Sequence, residues 1–374
     1  ARPMSKLFEP IHIGPLELPN RFVRSATAER MASADGPPRP ELRHLYGDLA
    51  RGGVGLIITG HMYIHPSGKA HPEMTGIHAD DLIPDLHALC TAVHEVGGLI
   101  AAQINHGGMQ CSRETVEVPV APSSVAEPFV ARRPRALRVD EIRDLVGWYA
   151  EAARRAQEAS FDAVQIHGAH GYLVSQFLSP LTNRRADAWG PKERRSLAAN
   201  MQGRASFLQA VCGAIREEVG PDYPLLIKLG MVDGVKGGLR PEDGAKIAGW
   251  LEDMGVDGVE ISGGISGAES MSSRSPIKVP ADEAYFRSLA RLARAETSLP
   301  IALVGGLRSL QVMEEVLASN DADLISMSRP LICEPDLPER FRRRVQDRAR
   351  CTSCDRCWPE RAGEGIACRL PADE

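Results

Sequence analysis

The chain has 374 residues, 43% of them hydrophobic, with a formal net charge of -5; that is enough to bury one large core or two medium ones. The acidic balance excludes a nucleic-acid binder as the first reading, and the basic clusters Arg132-Arg133-Pro134-Arg135 and Arg342-Arg343-Arg344 read as solvated faces. No apolar run approaches the length of about 18 residues that spans a bilayer, and no secretory signal opens the chain, so the expected setting is cytoplasmic, without membrane or nucleic-acid partners. Met4-Ser5-Lys6 reads as a natural start preceded by Ala1-Arg2-Pro3.

Pro10 to Pro19 alternates around Gly14-Pro15 and predicts a small hairpin. Eight strand-like segments follow: Arg21–Ser25, Gly55–Thr59, Leu99–Asn105, Ala163–His167, Leu225–Leu229, Gly258–Ser262, Ile301–Val304 and Leu324–Met327. They are short and rich in Val, Ile and Leu, as strands buried on both faces are. Between them run longer amphipathic segments: Pro40–Arg51, Asp81–Val96, Val139–Ala159, Ala205–Val219, Pro241–Met254, Asp282–Ala295, Leu310–Ala318 and a last one near Pro338–Arg348. Several end at glycine (Gly52, Gly97, Gly220, Gly255), as helix C-termini do. Eight such units predict an α/β fold, a (β/α)8 TIM barrel with an N-terminal hairpin over residues 1–338, and a Cys-rich extension over residues 339–374. A doubly wound sheet would show a Gly-x-Gly-x-x-Gly turn between strand and helix, and none is present.

The connections after the third strand (His106 to Arg138) and the fourth (Gly168 to about Asn200) are long. Long loops in compact domains carry function, and both leave the strand ends that form the catalytic face of such barrels. Most strands end in something polar or glycine-rich: Ser25-Ala26-Thr27-Ala28, Gly60-His61, Gln103, Lys228, Gly305-Gly306 and Ser328-Arg329. A phosphate commonly sits at the loops after strands seven and eight; Gly305-Gly306 allows close backbone approach, and Arg329 can fork onto phosphate oxygens. Gln103 matches the pyrimidine edge of a flavin, and Lys228 would place positive charge where the reduced ring is negative, which points to FMN. After strand four, His167, His170 and Tyr172 put three hydrogen-bonding side chains within one glycine-flanked turn.

At these residues the resemblance becomes specific. Asn20-Arg21-Phe22-Val23-Arg24-Ser25-Ala26, Gly53-Val54-Gly55-Leu56-Ile57-Ile58-Thr59, His167-Gly168-Ala169-His170-Gly171-Tyr172-Leu173, Gln176-Phe177-Leu178-Ser179-Pro180 and Asn183-Arg184-Arg185-Ala186-Asp187 resemble the Old Yellow Enzyme family of FMN ene reductases, from Leu7 to Pro338. The resemblance implies that Ser25, Ala26, Thr27, Ala28, Gly60, His61, Gln103, Lys228, Gly305, Gly306, Ser328 and Arg329 contact FMN. It implies that His167 and His170 hold the substrate's activating oxygen and that Tyr172 is the proton donor. The chemistry agrees: two imidazole donors stabilise negative charge developing on that oxygen, and a tyrosine stays protonated at neutral pH. The chain departs from the family at Ala28, where a Thr or Cys donor to the flavin is common, with Thr27 as the expected substitute. It departs again at Lys228, a point charge in place of an arginine fork, and at Pro191-Lys192 after Trp189-Gly190.

Cys351-x2-Cys354-x2-Cys357-x10-Cys368 predicts a metal site. Three thiolates at steps of three suit a [4Fe–4S] cluster, with zinc as the alternative. The motif resembles the multidomain branch of the family, in which such a cluster passes electrons between FMN and a second domain. The leading expectation is reduction of an activated C=C bond, in an enone, enoate, nitroalkene or enoyl-CoA, with NAD(P)H or an electron-donor protein reducing FMN in a homo-oligomer. The alternatives are an amine dehydrogenase or demethylase, an FMN/iron–sulfur electron-transfer subunit, and a CoA-thioester reductase with Arg132, Arg133 and Arg135 on the CoA phosphates.

Overall fold

The computed structural model describes residues 5–125, 132–192, 197–265, 268 and 271–371; the reading of Met4 as a start lies outside them. In chain order the strands are β1 (Ile11–Ile13), β2 (Leu16–Leu18), β3 (Phe22–Arg24), β4 (Leu56–Ile58), β5 (Met62–Tyr63), β6 (Ile100–Asn105), β7 (Val120–Ala121), β8 (Arg135–Ala136), β9 (Ala163–Gly168), β10 (Leu225–Gly230), β11 (Gly258–Ser262), β12 (Ile301–Leu303) and β13 (Leu324–Met327). The helices are α1 (Pro40–Arg51), α2 (Ile83–His94), α3 (Val139–Glu158), α4 (Leu173–Leu178), α5 (Leu197–Val219), α6 (Pro241–Trp250), α7 (Arg287–Arg294), α8 (Leu310–Ala318), α9 (Arg329–Cys333) and α10 (Leu337–Arg342).

Eight parallel strands close a barrel in the order β3, β4, β6, β9, β10, β11, β12, β13, with β13 returning to β3. All eight predicted strands are present. The predicted (β/α)8 barrel and its hairpin (β1–β2) are therefore the architecture of the chain. The reading of the sequence missed the short helices α4 and α9, which sit inside the long loops after β9 and β13. It also missed the β7–β8 pair, which ties the middle of the loop after β6 to its C-terminal end.

Strand side chains alternate in direction, so inward residues recur at every second position and stack in layers. The lowest layer is apolar: Val23, Leu56, Ala101, Ala163, Leu226, Ala302 and Leu324 pack with Ile13 and Leu18 of the hairpin, which plugs the barrel floor. Two positions further along the strands the interior turns polar, at Ser25, Gln103, Gln165, Lys228, Glu260 and Ser326, all at most 4% exposed. Buried polar groups are tolerated only when hydrogen-bonded, and these satisfy one another. A third step reaches His167, Ser262 and Ser328 at the barrel mouth.

The family-type motifs hold the frame. Asn20 Oδ1 accepts from the Phe22 amide while its Nδ2 donates to the Gly53 carbonyl, joining the starts of β3 and β4. Arg185 donates to the carbonyls of Pro122 and Leu137 and pairs with Asp187, tying the loop after β9 to the loop after β6. Among the described residues, no helix is long and apolar enough to cross a membrane.

Candidate active site

A cavity of about 360 Å³ opens at the C-terminal ends of the barrel strands, the face on which barrels of this kind place their chemistry, and its size suits a small-molecule site. Ser25, Ala26, Thr27, Ala28, His61, Gln103, His167, His170, Tyr172, Lys228, Gly306, Ser328 and Arg329 all line it. The sequence had these residues scattered over seven strand ends; closure of the sheet brings them around one cavity.

Two predicted residues stand back from it. The Gly60 amide donates to Glu29 Oε1 and to the Tyr46 hydroxyl, and a side chain at this position would strike Glu29. Gly60 is therefore a packing glycine beneath the wall. Gly305 and Gly306 hold φ of 129° and 71° and press on the ring of Tyr285. Gly306 reaches the cavity and Gly305 shapes the turn behind it.

The turn after β9 is built by backbone. His170 and Gly171 adopt φ of 60° and 75°, a reversal that glycine makes easy. Gln110 Nε2 donates to the His170 carbonyl over 2.6 Å. Gln176, at the C-terminal side of the turn, donates to the Gly171 carbonyl over 2.7 Å and accepts from the Met109 amide over 3.3 Å. The turn so fixed gathers four rings. Tyr172 lies 4.8 Å from His167 and 5.0 Å from His61 between ring centres, and His170 stands at 88° to His167.

Burial sets the protonation states. It pushes Tyr172 up to about 12, so the phenol keeps its proton. Burial first, then the Lys228 charge, brings His170 down to about 3. Burial, Arg30 and Lys228 bring His61 to about 4. His167 is held well below the usual histidine range by burial, then by its histidine neighbours and Lys228. These imidazoles are neutral at pH 7, each with one donor nitrogen and one acceptor. His170 Nε2 sits 2.7 Å from Ser262 Oγ. His167 Nδ1 is buried without a protein partner, as a group kept for a ligand would be.

The opposite wall offers cofactor-type contacts. Gln103, Lys228 and Ser25 present amide, ammonium and hydroxyl groups from the polar layer. Thr27, the expected substitute at Ala28, lines the cavity with its hydroxyl held by Arg24 at 2.9 Å, the Ser25 carbonyl at 3.1 Å and Ser328 at 2.6 Å. Arg329 lines the cavity, but its guanidinium also pairs with Asp355 at 2.7 Å and reaches the Ser353 carbonyl. Part of the fork expected on a phosphate is thus spent on the tail. Residues that the reading of the sequence overlooked are Glu260, Gln165, Ser262, Tyr285 and Trp358. Only the inward alternation of β9 and β11 could have exposed the first three.

The tail is part of the wall. Ser353, Cys357, Trp358 and Ile366 line the cavity, the Ile366 amide donates to the Glu29 carbonyl, and the Gly363 amide donates to Glu73. The structure does not bring Cys351, Cys354, Cys357 and Cys368 to one point. Cys368 instead lies beside Cys333, with Cys351 close by, and Cys354 lies by Cys357. Among the described residues no three His, Cys, Asp or Glu side chains are gathered to hold a metal ion. The CoA-phosphate expectation also changes. Arg132 donates to the carbonyls of Cys111, Val116 and Glu117, Arg133 bonds Ser124, and Arg135 makes a two-pronged pair with Glu141.

A protein-family model described as NADH:flavin oxidoreductase / NADH oxidase family matches residues 6–348. The chain is 34% identical over 354 residues to an NADH oxidase of Thermoanaerobacter brockii, covering 93% of this chain and 52% of that protein. It is 33% identical to an NADPH dehydrogenase of Clostridium acetobutylicum, covering 88% of this chain and 92% of that protein. Among solved structures, a 2-naphthoyl-CoA reductase in complex with 2-naphthoyl-CoA superposes with a TM-score of 0.81 at 26% identity, over 90% of this chain and 52% of that one. An old yellow enzyme homologue from Zymomonas mobilis superposes with a TM-score of 0.78 at 28% identity, over 93% of this chain and 94% of that one. The chain spans about half the length of the first two curated relatives that it matches.

Proposed function

The chain belongs to the NADH:flavin oxidoreductase / NADH oxidase family, that of Old Yellow Enzyme, and from that premise we propose that it reduces an activated C=C bond with FMN bound in the barrel mouth. FMN in this place supplies a hydride from its N5, replenished by NAD(P)H. The residues present fit such a group: a buried amide, an ammonium and hydroxyls on one wall, and an unpartnered buried imidazole nitrogen facing them. Gln103, Lys228 and Ser25 would hold the pyrimidine edge, with Ala26, Thr27, Ala28 and His61 against the ring. Gly306, Ser328 and Arg329 would meet the phosphate.

The observation that carries the reading is the set His167, His170 and Tyr172 in one fixed turn. His167 and His170, neutral, donate to the substrate's carbonyl or nitro oxygen and stabilise the charge that forms there. Tyr172 gives its proton to the α carbon as the β carbon is reduced and regains one from solvent. Substitution of Tyr172 by Phe tests this. Stopped-flow measurement should show alkene reduction slowed by about 10²-fold or more, with the NAD(P)H half-reaction within about twofold of wild type. An unchanged alkene rate would overturn the assignment and favour an electron-transfer subunit.

An enoyl- or aryl-CoA substrate is supported by the likeness to 2-naphthoyl-CoA reductase, while the arginines expected to meet its phosphates are spent within the chain. His167, where amine dehydrogenases of this kind carry a tyrosine, argues for an oxygen-bearing acceptor. For the tail we propose a [4Fe–4S] cluster on Cys351, Cys354, Cys357 and Cys368, which their spacing and the likeness of the motif to the multidomain branch support and which the thiols must come together to hold. A homo-oligomer and a protein electron donor rest on the resemblance.

A further inference from the structure

Glu260 is 1% exposed in the barrel interior and does not line the cavity, yet three of the side chains it touches do. Ser25 Oγ donates to its Oε1 over 2.6 Å and Ser326 Oγ to the same oxygen over 2.8 Å. Gln165 Nε2 donates to Oε2 over 3.1 Å, and Lys228 Nζ stands 3.5 Å from Oε1. Lys228 also donates to Ser25 Oγ over 2.7 Å. Every partner is a donor, so Glu260 accepts at both oxygens as a carboxylate.

That one acceptor orients the whole layer. Because a carboxylate can only accept, Gln165 turns its Nε2 inward, and its Oε1 faces Gln103. Gln103 answers by donating its own Nε2 over 2.7 Å, which leaves Gln103 Oε1 as the acceptor offered to the cavity. The adjacent positions of Gln103 and Gln165 on β6 and β9, and of Lys228 and Glu260 on β10 and β11, make the relay a property of strand register.

We propose that Glu260 is a positioning residue that lowers the reduction potential of FMN in the cavity above it, by offsetting the charge of Lys228 and by fixing the direction of the Gln103 amide. The proposal rests on the reading of the cavity as an FMN site. An unopposed lysine beside the pyrimidine edge favours the reduced, more negative ring. A carboxylate next to that lysine makes the pair nearly neutral at a distance and removes much of that bias.

Potentials of the FMN-loaded wild type, Glu260→Gln and Glu260→Asp, measured by anaerobic reduction against a reference dye, test it. Glu260→Gln keeps the shape and removes the charge; its potential should move positive by enough to change the oxidised-to-reduced ratio at least tenfold, about 30 mV for a two-electron couple. Glu260→Asp keeps the charge and should stay with the wild type. No shift in Glu260→Gln, or the same shift in both variants, overturns the proposal. Should Glu260→Gln fail to fold, Gln165→Met tests the amide relay by fluorescence titration with FMN. Its dissociation constant should rise about tenfold, and an unchanged constant overturns the orienting role. A wild-type protein that binds no FMN instead overturns the reading of the cavity.

Discussion

Gln176 shows how one side chain can hold the turn after β9 without touching the cavity. It is 1% exposed and joins the Gly171 carbonyl to the Met109 amide across the mouth. Replacement by leucine keeps the volume and leaves both backbone groups buried and unpaired, at a cost of about 1–3 kcal/mol for each buried group so orphaned. Gln176→Leu should therefore lower the chemical-denaturation midpoint and slow alkene reduction, because Tyr172 and His170 lose their fixed spacing. An unaltered midpoint and rate would show that the turn is set by Gln110 alone. In sequence Gln176 was legible only as part of a family-like string. Its work is visible because α4 carries it back under residues 107–110.

At the scale of the element, the loops decide more than the strands. The strands end at one rim whatever their loops do, but the loop after β9 is pinned through Arg185, and the tail crosses the rim to Glu29 and Glu73. Salt bridge Arg329–Asp355 joins α9 to this tail, with Arg329 12% exposed at the side chain. The tail is thus placed to cover bound ligand, and a cluster there would stand beside the cavity through Cys357. Anaerobic purification followed by iron, labile-sulfide and zinc analysis should find iron and sulfide in a ratio near one alongside the flavin band. Flavin without iron would sink the cluster, and zinc in its place would assign the thiols to a structural site.

For the whole molecule, the buried histidines predict an acid-labile fold. His61 is held at about 4 and His106 at about 3, each mainly by burial, and His167 well below the usual range. In the unfolded chain such rings take up protons near pH 6.5. Between that value and about 4 the unfolded state therefore binds more protons, and stability falls as pH falls. Each fully buried ring contributes up to about 1.4 kcal/mol per pH unit. Glu29 and Asp233, raised by burial, act in the opposite sense, since the folded state holds their protons longer. With more histidines than raised carboxylates, the melting temperature should drop between pH 7 and 5. A flat or rising melting temperature over that range would contradict the burial of these rings.

The sequence by itself determined the barrel, because eight short apolar runs alternating with amphipathic segments can bury both faces only in a closed or covered parallel sheet. It determined that His167, His170 and Tyr172 come together after β9, because a local string fixes which groups share a turn. It did not determine which donors were still free. Thr27, Arg132, Arg133 and Arg135 find partners inside the chain, Arg329 is partly committed to the tail, and Gly60 turns its amide to Glu29. Nor did it reveal Glu260, whose partners lie 235, 95, 66 and 32 positions away in the chain. Pairing across such distances depends on the register at which neighbouring strands meet, and only the closed sheet sets that register.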